Sequence, residues 1–61
     1  MYPTTKDIYA MIDNMANANA PEWMIQSLAD LLAHRFTINY RQIWANNAMI
    51  EALYINFLEI N

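Results

Sequence analysis

From Thr4 onward, apolar side chains return every three or four residues. Ile8, Met11, Ile12 and Met15 mark one stripe, while Ala10, Asp13, Asn14 and Asn17 fall on the other side. This is the 3.6-residue period of an amphipathic helix. Thr4-Thr5-Lys6-Asp7 gives it a start, with a hydroxyl cap followed by an acidic residue at the third helical position. The first helix is predicted over about 4–18. Asn17-Ala18-Asn19-Ala20-Pro21 closes it, because proline disfavours a helical residue before it and suits the first turn of the next helix.

A second helix is predicted over 21–35. Its polar stripe is regular, with Glu22, Gln26, Asp30 and His34 four apart and Ser27 beside them. Opposite lie Met24, Ile25, Leu28, Leu31 and Leu32, and Phe36 follows at the end. An apolar face this broad can pack on two neighbours. A turn through Phe36-Thr37-Ile38-Asn39 then leads to a third helix over about 40–58, where Asn39 and Gln42 have capping-box spacing.

The third helix is patterned differently. At roughly 100° per residue, Ile43, Leu53, Tyr54, Phe57 and Ile60 cluster around Ile50 and form the expected core face. Trp44, Ala45, Ala48, Ala52 and Ile55 form a second apolar sector on the far side, bounded by Arg41, Glu51, Asn56 and Glu59. A helix apolar all round is a buried helix, and two shorter neighbours cover only one side of it. The second sector is therefore the expected interface. Its alanines admit a close neighbour, and Trp44 and Ile55 supply large anchors. Asn46 projects toward the core face, where its amide either finds a backbone carbonyl or a symmetry mate, or lies at the rim in water.

Together these segments predict one all-α domain over 1–61, a small three-helix bundle associating through its third helix. The absence of glycine agrees, since tight β-hairpin turns depend on it. Composition sharpens the case for association. At 61 residues a lone core is marginal, and small domains of this size often add disulfides, a metal or a partner chain. The chain has no cysteine and a single histidine, His34, so neither a disulfide framework nor a structural metal site is expected. Its 57% hydrophobic content exceeds the roughly 45–50% of an ordinary soluble domain.

Charge narrows the functional classes. The net charge of −3 comes from only three basic and six acidic residues, and eight asparagines share the work of solubility. Tyr40, Arg41 and Gln42 open the third helix after a short turn, which suggests a helix-turn-helix-like DNA-binding regulator as the alternative reading. Three cations on an acidic chain oppose it, because phosphate neutralisation dominates DNA affinity. The carboxylates are too scattered for nucleic-acid mimicry. Asp30 can reach His34 one helical turn on, yet no oxyanion hole or enclosed pocket is expected around Ser27, so no enzyme and no cofactor is predicted.

Neither a basic leader nor an uninterrupted apolar run of membrane-spanning length is present, and a cytoplasmic protein is expected. The functional expectation is a homodimeric, non-enzymatic interaction module that binds and modulates a larger protein as an adaptor, inhibitor or regulator. Its size and low charge also fit a phage or mobile-element protein.

Overall fold

The computed structural model describes residues 3–60, which form three α-helices: α1, Thr5–Asn17; α2, Glu22–Arg35; and α3, Ile43–Ile60. A 3₁₀ turn, Tyr40–Gln42, leads directly into α3. The chain is an all-α three-helix bundle, as the periodicity predicts. The helix limits differ from the sequence reading mainly around α3. Its first turn tightens to 3₁₀ geometry, a frequent device at helix N-termini, and its last turn runs on to Ile60.

Side chains at the helix ends set these boundaries. The Thr4 Oγ1 accepts the Asp7 backbone N–H at 3.1 Å, and the Asp7 carboxylate accepts the Thr4 N–H at 3.0 Å, a reciprocal capping box. Those Thr4 bonds hold the Asp7 carboxyl below the usual carboxylate range, with a smaller contribution from the Lys6 charge. A lowered folded value adds stability that is present above the unfolded value and lost as the pH falls through the folded one. The α1 cap should therefore weaken below about pH 4, and an Asp7→Asn variant should lack that part of the acid transition in circular dichroism.

The end of α1 shows how a chain without glycine makes its turn. Asn19 takes the left-handed conformation with φ of 57°. The Ala20 N–H reaches the Met15 carbonyl at 2.9 Å and the Asn19 N–H reaches Ala16 at 3.1 Å, the paired bonds of a Schellman ending. Asparagine is the residue that tolerates this conformation best after glycine. Pro21 then caps α2 through its backbone. At the start of the 3₁₀ turn, Asn39 is a true cap, but its Oδ1 accepts from the Arg41 N–H and not from a Gln42 box.

Apolar faces from all three helices meet in one core: Ile8 and Met15 of α1, Met24, Leu28 and Leu32 of α2, Ile50 and Phe57 of α3. The broad face of α2 does pack on both neighbours. Tyr54 lies against Phe57 with ring centroids 5.6 Å apart, and its hydroxyl accepts the Asn14 amide at 2.6 Å, tying α3 to α1. Ile60 departs from the predicted core face and is 56% exposed. The reason is length, since the 18 residues of α3 outlast the 13 and 14 of its neighbours.

Among the described residues, seven apolar side chains are buried while nine large ones stay more than half exposed. The bundle thus closes a modest core and leaves much of its apolar surface outside. Its cross-section of 18 × 17 Å is about two helices wide, so each helix keeps one side in solvent.

Candidate interaction surface

The inward side of α3 carries polar chemistry in the core. Asn46 is buried, its Nδ2 donating to the Leu31 carbonyl at 3.0 Å and its Oδ1 accepting from the Arg35 Nε at 3.2 Å. Arg35, half-buried at the end of α2, also donates through Nη1 to the carbonyl of the buried Pro3 at 2.8 Å. One amide and one guanidinium therefore join α2, α3 and the segment before α1. Asn46 does not sit in water at the rim of the core, because an α2 carbonyl and the Arg35 side chain both face it. It finds these partners within its own chain and needs no symmetry mate.

Asn47, next in sequence, is buried as well, with its Oδ1 unpartnered, and the Arg35 Nη2 is likewise buried without an acceptor. An unpaired buried amide oxygen costs roughly 1–3 kcal/mol. Replacing Asn47 by leucine, of similar size, should stabilise the fold by about 1 kcal/mol, visible as a higher urea midpoint.

The outward side of α3 is open. Trp44 is 73% exposed and Ile55 and Leu58 are each 53% exposed. Ala48, Glu51, Ala52 and Glu59 are exposed among them. Of the predicted interface residues, Trp44, Ala48, Ala52 and Ile55 share this face. Ala45 is half-buried and turns instead toward a groove between α2 and α3.

That groove was not legible in the sequence. It has two adjoining lobes, of about 260 and 470 Å³, which share Leu31, His34 and Met49. The exposed Met49 and the half-buried Ala45 line its α3 side, and Gln42 and Asp30 also line it. Its signal in the sequence is slight: Met49 falls on the wheel between the two large sectors of α3, and Ala45 at the near edge of the outward one. Two further exposed aromatics, Tyr9 of α1 at 55% and Trp23 of α2 at 59%, lie on helices whose outward sides look polar by pattern.

The remaining candidates are placed as follows. Asp30 accepts the Gln26 amide at 3.0 Å and not the His34 imidazole, so its side chain turns to the residue one turn earlier and not to the one its spacing also puts within reach. The His34 carbonyl takes the Thr37 hydroxyl at 2.9 Å as α2 ends. Tyr40, Arg41 and Gln42 are all exposed, Tyr40 at 81%. Arg35 is engaged by Asn46 and Pro3, which leaves Lys6 and Arg41 as the exposed cations among the described residues. No three His, Asp or Glu side chains converge on a metal-sized site among the described residues, and no helix there is long and apolar enough to cross a membrane.

Compared with protein families, curated proteins and solved structures, the chain matches none. The functional reading consequently rests on the geometry of α3.

Proposed function

We propose that this chain is a non-enzymatic protein-interaction module that pairs with a second copy through the outward face of α3 and, in that form, binds and modulates a larger protein. The observation that carries the reading is the exposure of Trp44, Ile55 and Leu58 around an alanine floor on one side of the longest helix. Large apolar side chains gathered on one exposed face mark an interaction site more often than scattered single ones. Fully burying a side chain such as Ile55 stabilises by roughly 1.5–3 kcal/mol. A domain of this length has only about 3–9 kcal/mol of total stability, so covering this face changes its thermodynamics materially.

A second copy is the favoured occupant because two-fold homodimers are the commonest closed assemblies. The groove between α2 and α3 is turned roughly 100° away around α3, by the wheel positions of Ala45 and Met49. It stays free in such a pair and supplies a separate surface for the larger protein. An adaptor, inhibitor or regulator acting in the cytoplasm is the role this arrangement serves.

Sedimentation equilibrium tests the reading. At tens of micromolar the species should approach twice the 7.2 kDa of the chain. A constant 7.2 kDa up to several hundred micromolar would remove the self-association on which the proposal stands.

A further inference from the structure

The outward face of α3 has a near-palindromic order that fixes how two copies would meet. Arg41 in the 3₁₀ turn lies three residues before Trp44, and the tighter steps of that turn followed by one α-helical step bring the two side chains to the same side, about 20° apart on the wheel. Along α3 the order is Trp44, Ala48, Ala52, Ile55, with Glu59 one turn beyond. Read backwards, large residue, alanine, alanine and large residue recur, with a charge of opposite sign at the other end.

We infer that two copies pair antiparallel along α3, with Trp44 of each packed against Ile55 of the other, Ala48 and Ala52 at the crossing, and Arg41 facing Glu59 of the second copy. This rests on the self-association proposed above and adds its direction and register. With rises of about 1.5 Å per α residue and 2.0 Å per 3₁₀ residue, Arg41 and Glu59 both lie about 6 Å beyond their neighbouring anchors. Placing Trp44 opposite Ile55 therefore brings the two charges level to within about 1 Å. Glu59 and Arg41 also share one edge of the stripe, separated by roughly 40° on the wheel.

Charge favours this direction over the parallel alternative. In a parallel pair Arg41 meets Arg41, Glu51 meets Glu51 and Glu59 meets Glu59, like on like along the whole seam. The antiparallel pair converts two of these into opposite-charge contacts, repeated by symmetry. It leaves only Glu51 near its own copy, each opposite the small Ala48 of the other.

The area is adequate. Trp44, Ile55 and Leu58 at their observed exposures present on the order of 400 Å² of apolar surface. With the alanines and the stems of Arg41, Glu51 and Glu59, the face approaches the roughly 800 Å² per partner of a standard specific interface.

Charge reversal separates this register from association as such. Arg41 and Glu59 are exposed, so Arg41→Glu and Glu59→Arg should leave helicity unchanged. In sedimentation equilibrium at about 0.05 M salt, each single reversal should raise the dimer Kd about tenfold, and the double variant Arg41→Glu/Glu59→Arg should restore it to within about twofold. Single reversals without effect, or a double variant weaker than either single one, would overturn the register while the dimer itself stands. A wild-type chain that stays monomeric would instead remove the reading beneath it.

Discussion

Asn46→Leu should lower the free energy of unfolding by about 3 kcal/mol. The substitution removes two hydrogen bonds at once. The Leu31 carbonyl loses its side-chain donor, and the Arg35 guanidinium, which already holds one unpartnered buried N–H, loses its Nε acceptor. A hydrogen bond to a charged group contributes about 1.5–3 kcal/mol, and a buried group left unpaired costs about 1–3 kcal/mol. The apolar gain of leucine offsets only part of this. Against a total of about 3–9 kcal/mol, the loss leaves the bundle near its threshold. Urea unfolding followed by far-ultraviolet circular dichroism measures it. Adding Arg35→Met to Asn46→Leu should recover much of the lost stability, because replacing both partners by apolar groups removes the orphaned charge as well as its acceptor.

Trp44→Glu should act on association and not on folding. Trp44 is 73% exposed in the single chain, so its removal takes little from the core. A two-fold pair buries it twice and sets the new carboxylate on the seam that already holds Glu51, two turns along the same side of α3. Loss of about 1.5–3 kcal/mol per buried tryptophan, counted twice, raises the dimer Kd by at least 100-fold. Trp23→Glu is the matched control. Trp23 is 59% exposed but stands on the first turn of α2, and its replacement should leave the dimer Kd within about threefold of the wild type. The comparison separates a specific α3 interface from general stickiness of exposed tryptophan.

What the sequence reveals here follows from which signals are local. The Thr4 and Asp7 cap, the turn at Asn19 to Pro21 and the double-sided face of α2 depend on residues within a few positions of one another, and each is found where the pattern places it. The outward apolar face of α3 is legible for the same reason, since a wheel needs only the helix itself. Asn46 marks the limit. Its position toward the core can be read from its offset to Ile50, but its partners are Leu31, Arg35 and, through Arg35, Pro3, all distant in the chain. Local periodicity carries no information about them.

Two smaller differences have the same origin. A wheel drawn with a constant step treats Tyr40–Gln42 as α-helix, yet the 3₁₀ turn there rotates Arg41 toward Trp44. Ile60 lies on the correct angle for the core and is still exposed, because angle does not report where neighbouring helices stop. The α2/α3 groove needs both helices at once, and so the wheel position of Met49 alone gives only a slight sign of it. Asn47 is similar, a polar residue beside another whose burial only packing decides.

Whether the outward face of α3 is covered in solution can be asked of Trp44 directly. In a Trp23→Phe variant, Trp44 is the sole tryptophan. Its acrylamide quenching, followed from about 1 to several hundred micromolar protein, reports its contact with solvent. Quenching should fall by several-fold and the emission shift to shorter wavelength as the concentration rises through the dimer Kd. A Trp44 equally quenched across the whole range, with emission unchanged, would contradict an interface on this face.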